Sequence, residues 1–143
     1  MRKGIVVLVE DREDDVELTL RAFTKSGIGN EVVVLRDGAE ALEYLLGAER
    51  RAGRLATPEV ILLDLNLPKV SGLDVLRRLR ADEQMKRVPV VILTSSNEER
   101  DIVASYDLGA NSFIQKPVDF AQFVDATRQL GLYWLVLNRS APA

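Results

Sequence analysis

Residues 60–72 read VILLDLNLPKVSG. An apolar run without alternation is the pattern of a strand covered on both faces. This one closes on a carboxylate, Asp64. An unpaired buried charge is costly, so Asp64 must emerge at the strand end or meet compensating groups brought from elsewhere in the chain.

Four other short, β-branched runs accompany it: IVVLVE (5–10), EVVVLR (31–36), VPVVILTS (88–95) and NSFIQK (111–116). The segments between them carry helix signals. Residues 14–25 place Val16, Leu20 and Phe23 on one face, and Asp37 followed by Glu40 forms a capping-box pattern before Leu42, Leu45 and Leu46. Ser71 with Asp74 opens a helix carrying Leu73, Leu76 and Leu79. Ser96 with Glu99 opens another that Gly109 can close, and Asp119 can cap a last one. Strand and helix alternate five times, which requires right-handed crossovers and a parallel sheet covered on both sides. The class is α/β. The one long connection, residues 47–58, carries Arg50, Arg51 and Arg54 and has two readings: a solvated surface insertion, or a basic contact for an acidic partner surface.

Composition narrows the chemistry. The chain has 143 residues, 47% of them hydrophobic, enough for one domain with a sizeable core. Its net charge of -3 gives no general attraction to nucleic acid. Cysteine and histidine are absent, which removes disulfides, thiolate and imidazole catalysis and the usual zinc sites. No run has the length of a signal h-region or a membrane span, so the cytoplasm is the expected compartment.

In open α/β sheets ligands bind beyond the carboxyl ends of the strands. There the five runs place Glu10 and Asp11, then Asp64, then Thr94 with Ser95 and Ser96, then Lys116 and Pro117. Three acids, a hydroxyl and an ammonium would meet at one edge. Close carboxylates repel, and with oxygen donors alone the fitting remedy is a hard cation, Mg²⁺ or Mn²⁺. A carboxylate is also a nucleophile toward phosphorus, with lysine and hydroxyl able to neutralise the transferred group. Phosphoryl transfer depends on position and charge more than on acid-base groups.

Across essentially its whole length, from IVVLVED through ILLDLNLP and SG to VVILTSS and FIQKP, the sequence resembles the receiver domains of two-component response regulators, in the stand-alone chemotaxis-type form. The resemblance implies a flavodoxin-like (βα)5 three-layer sandwich with strand order 2-1-3-4-5. It implies that Asp64 accepts a phosphoryl group from a sensor histidine kinase. Mg²⁺ would be held by Asp11, Asp64 and the backbone carbonyl of Asn66, with Glu10 acting through water. Thr94 would be the switch hydroxyl and Lys116 the phosphoryl-pairing lysine, its bond to Pro117 cis. Glu10 stands where an aspartate is common, one methylene longer. Phe113 occupies the aromatic switch position where tyrosine is frequent; a plain core phenylalanine is the alternative there.

The loop at 47–58 and the ending YWLVLNR resemble the small regulators paired with phytochrome-type kinases. Residues 1–143 are expected to form a single receiver with no output domain. Phe120, Phe123, Thr127, Leu130, Trp134 and Leu137 repeat at heptad-like spacing, predicting a last helix of about 20 residues. Its overhanging Tyr133, Trp134 and Leu137 predict a homodimer interface. Two other readings compete: a receiver fold used as an interaction platform without phosphorylation, and a flavodoxin-like FMN module. The acidic turn after the first strand repels phosphate and opposes the latter.

Overall fold

The computed structural model describes residues 4–95, 98–116 and 119–130. Its centre is a parallel sheet of β1 (Val6–Val9), β2 (Val32–Leu35), β3 (Val60–Leu63), β4 (Val90–Thr94) and β5 (Ser112–Gln115). The order is β2-β1-β3-β4-β5, as expected. Strands β1, β3 and β4 are buried along their entire length, which is why their sequences run apolar without alternation. The β2 and β5 edges are half-buried at most positions.

Among the described residues six helices flank the sheet: α1 (Glu13–Lys25), α2 (Gly38–Leu46), α3 (Ala48–Arg51), α4 (Gly72–Ala81), α5 (Glu99–Asp107) and α6 (Phe120–Leu130). One face packs Val7, Val9, Ile61, Leu63 and Ile92 against Ala41 and Leu45 of α2 and Val75, Leu76 and Leu79 of α4. The other packs Leu8, Leu62 and Val91 against Val16 and Phe23 of α1, with Phe123 and Val124 of α6 beside Ala22 and Leu93.

The caps follow the sequence closely. Asp37 accepts from the Glu40 amide at 2.7 Å and Ser71 from the Asp74 amide at 3.2 Å. Asp119 accepts from the Gln122 amide at 2.9 Å, and Gly109 follows α5 with a φ of 92°, a left-handed stop that glycine adopts without penalty. Helix α5 itself starts later than its expected cap: Glu98 is the N-cap residue and makes no side-chain cap bond, while Ser96 lies outside the described residues.

The connection at 47–58 differs from the expected irregular insertion. It contains α3, and Arg50 is only 4% exposed. Its guanidinium lies 5.3 Å from the Tyr44 ring centroid and donates to the Leu55 and Ala56 carbonyls at 3.2 and 2.7 Å. Arg50 therefore fastens its own loop, since a planar cation gains both stacking and carbonyl bonds there. Arg51 and Arg54 stay exposed, pairing with Asp82 and Glu49.

Helix α6, whose first half is expected on the sheet, packs Phe123 and Val124 against both Leu93 of β4 and Ala22 of α1. Phe123 and Thr127 are buried, and Thr127 Oγ1 sits 2.7 Å from Ser26 Oγ. The expected continuation, with Tyr133, Trp134 and Leu137, lies outside the described residues. Among the described residues no helix is long and apolar enough to cross a membrane.

Candidate phosphoacceptor site

The sheet places the site by one repeated device. Glu10, Asp64 and Lys116 are each the first residue after a strand, and each still donates its amide to the neighbouring strand. Glu10 reaches the Leu35 carbonyl at 2.9 Å, Asp64 reaches Val9 at 3.1 Å and Lys116 reaches Thr94 at 2.7 Å. Their backbones are held by the ladder while their side chains leave it at the carboxyl edge. The change of direction in strand order falls between β1 and β3, where α/β sheets open a crevice.

Four of the site residues are nearly inaccessible: Glu10, Asp64, Thr94 and Lys116 are 1%, 4%, 0% and 8% exposed. Asp11 is exposed. Glu10, Asp11 and Asp64 each offer a carboxylate oxygen within 4.8 Å of the others. An all-oxygen set of this size suits a hard divalent cation.

Asp64 is oriented by donors on one oxygen. Oδ1 accepts from Thr94 Oγ1 at 2.7 Å and from the Asn66 amide at 3.2 Å. Oδ2 faces the Lys116 ammonium at 3.6 Å. The Asn66 side chain is exposed. The following turn passes Lys69 at a φ of 70°, with the Val70 amide on the Pro68 carbonyl at 2.8 Å. It then reaches Gly72, whose position allows no side chain: an added Cβ would stand 2.2 Å from the Asp64 carbonyl oxygen and 2.6 Å from Leu65 Cα. The SG pair of the sequence thus lets the start of α4 close over the segment carrying Asp64.

Lys116 stands in the pocket with Asp64 but has two nearer partners. Its ammonium donates to Glu10 Oε1 and to Asp15 Oδ2 at 2.8 Å, both closer than Asp64. Asp15 is the residue that sequence reading missed. It lies in the first turn of α1, five positions after Glu10, where the run of acids gave no means of telling which one turns inward.

Burial pushes the Glu10 carboxyl up to about 7; the Lys116 hydrogen bond works against that rise and the Asp64 charge adds to it. Burial alone would depress the Lys116 ammonium, but the hydrogen bonds to Asp15 and Glu10 and the Asp64 charge outweigh it and raise it above its ordinary value. Glu10, Asp15 and Asp64 thus share one buried ammonium.

Phe113 lies on β5 opposite Ile92 of β4, half-buried and packed against the α2/α4 core. It is two strand positions from Gln115, which pairs with Thr94. Pro117, and with it the Lys116–Pro117 peptide, is outside the described residues.

Comparison with known proteins agrees with this fold. The family profile described as "Response regulator receiver domain" matches residues 6–128. The bacteriophytochrome response regulator RtBRR is 51% identical, with a TM-score of 0.77 over 99% of this chain and 86% of its own. The phosphorylated cyanobacterial phytochrome response regulator RcpA is 38% identical, with a TM-score of 0.88 over 99% of this chain and 100% of its own. Response regulator Rcp1 of Synechocystis sp. is 36% identical over 92% of this chain and 88% of its own; its Mn²⁺-bound structure superposes with a TM-score of 0.85 over 97% of this chain and 99% of that one.

Proposed function

Because the chain belongs to the response regulator receiver family, a family of signalling proteins that bind a divalent metal and act with histidine kinases, we propose that it is a stand-alone phosphoacceptor whose Asp64 takes a phosphoryl group from a kinase phosphohistidine. One observation carries the assignment. Asp64 is the buried carboxylate on which a hydroxyl, an amide and an ammonium converge while two further acids stand beside it.

In the proposed step an Asp64 oxygen attacks phosphorus, a P–O bond forms, and the P–N bond breaks with its electron pair going to the leaving imidazole. Thr94 and the Asn66 amide orient the nucleophile. Lys116 neutralises charge on the transferred group, and Thr94 follows it once transferred. Asp11, Asp64 and the Asn66 carbonyl are the residues to hold Mg²⁺, with Glu10 acting through water; the ion supplies charge neutralisation at the phosphoryl oxygens. The protein thus catalyses its own phosphorylation and dephosphorylation and needs no separate substrate.

Phe113 is assigned the role of aromatic switch, repacking when Thr94 moves. The likeness to RtBRR, RcpA and Rcp1 supports a phytochrome-type kinase as the partner. Residues 1–143 are read as one receiver that works in the cytoplasm as a homodimer through Tyr133, Trp134 and Leu137, with the Lys116–Pro117 peptide cis. Light scattering at tens of micromolar tests the dimer: a monomer in wild type and Trp134→Ala alike would refute it.

The decisive experiment on Asp64 is intact-mass measurement after incubation with acetyl phosphate and Mg²⁺. Wild type gains one phosphoryl group and Asp64→Asn gains none. Equal labelling of both would remove Asp64 from the role, and labelling of neither would leave the fold as an interaction platform.

A further inference from the structure

We propose that Asp15 is a positioning residue that holds the Lys116 ammonium aside in the unphosphorylated protein and must surrender it when a phosphoryl group arrives on Asp64. The inference rests on the reading of Asp64 as phosphoacceptor.

An ammonium has three N–H donors. In this site two are taken at hydrogen-bonding distance, by Glu10 and by Asp15 at 2.8 Å, while Asp64 Oδ2 stays at 3.6 Å, beyond a hydrogen bond. Helix rotation fixes Asp15 in that place. Val16, the next residue, is 1% exposed in the core between α1 and the sheet, and Asp15, one position earlier, reaches Lys116 at the sheet's carboxyl edge. The Asp15 side chain is 25% exposed, and its other cation, Arg12, is 71% exposed at 3.7 Å. Such an exposed pair is weak. The principal partner of Asp15 is thus the buried lysine.

Charge shows why the contact matters. A divalent cation and the Lys116 ammonium together balance three carboxylates, namely Glu10, Asp11 and Asp64. Asp15 adds a fourth, outside the group whose oxygens could share the ion. A phosphoryl group adds more negative charge at Asp64, and the ammonium that should neutralise it is shared with Asp15. Asp15 therefore weights the balance toward the unphosphorylated form. Its loss should free Lys116 for the phosphoryl oxygens rather than disable the site.

The test uses beryllofluoride with saturating Mg²⁺ as the phosphoryl mimic, and ¹⁹F NMR of the bound anion to obtain its affinity. Asp15→Asn, with Asp15→Ser as a second variant, should bind about fivefold more tightly than wild type. Asp15→Glu, which restores the charge, should return toward wild type. Asp14→Asn removes an exposed neighbouring acid on the same turn and should change the affinity little. Unchanged or weaker binding in both Asp15 variants, or equal tightening in Asp14→Asn, overturns the inference, the latter because it would show a diffuse charge effect. Wild type that binds no beryllofluoride at all would instead overturn the phosphoacceptor reading beneath it.

Discussion

Thr94 Oγ1 donates a 2.7 Å hydrogen bond to Asp64 Oδ1 across the ends of β4 and β3. The hydroxyl of a fully buried threonine is thereby committed to a carboxylate that also stands near two other acids. The bond ties the state of Asp64 directly to the end of the next strand.

Replacing Thr94 by valine keeps the shape and deletes that donor. The loss of a buried hydrogen bond to a charged acceptor should lower the unfolding free energy by about 2 kcal/mol, with Thr94→Ser retaining most of it. Urea unfolding at neutral pH measures both variants, and equal stability of valine and wild type would refute the assigned bond.

Glu10 governs the pH behaviour. In the unfolded chain its carboxyl titrates at the ordinary glutamate value of about 4.5, and in the fold it is pushed up to about 7, chiefly because it is buried. Between these values the folded state binds the extra proton, so stability contributed by protonated Glu10 is present below about 4.5 and is lost as pH rises through about 7. Urea midpoints should fall across that window in wild type without metal, and Glu10→Gln should flatten the fall. Since a cation held beside Glu10 would favour its ionised form, calorimetric Mn²⁺ affinity should weaken as pH drops below about 7.

Removing a charge from the site should stabilise the protein. Asp64→Asn takes away the carboxylate that raises Glu10, relieving repulsion between two buried acids. Its thermal midpoint without metal should exceed that of wild type at pH 8, and a lower midpoint would show that Lys116 already compensates Asp64 fully.

Arg80 is a staple remote from the site. Its guanidinium donates to the Gly109 carbonyl at 3.0 and 2.7 Å, to Val88 at 2.8 Å, to Lys86 at 3.2 Å and to Asn111 Oδ1 at 3.1 Å. Burial depresses its pKa. Arg80→Ala should cost about 2–4 kcal/mol because several carbonyls lose a charged donor together. Arg80→Lys should recover little, having no planar fork. Denaturant unfolding of the two variants checks this, and a fully stable Arg80→Lys would contradict it.

Much of this protein is legible in local pattern. The apolar runs without alternation marked β1, β3 and β4, because strands buried on both faces need no polar side. The caps at Asp37, Ser71 and Asp119 were readable because a cap bond spans three residues. Glu10, Asp64 and Lys116 could be found as the first residues after apolar runs, and their convergence followed from parallel topology alone.

Other features depended on tertiary structure. Asp15 meets Lys116 across 101 positions of sequence, and which acid of a five-acid stretch turns inward is decided by how Val16 seats α1 on the sheet. Arg50 read as a solvated basic charge until Tyr44 and two carbonyls enclosed it. Arg80 gave no local sign that it would join α4 to the segments that precede β4 and β5. Sequence by itself determined the elements, their order and the chemical groups at one edge, because those depend on hydrophobic period and chain direction. Only the tertiary structure decided which charges pair, because pairing depends on helix rotation and on distances of a few ångströms between residues far apart in the chain.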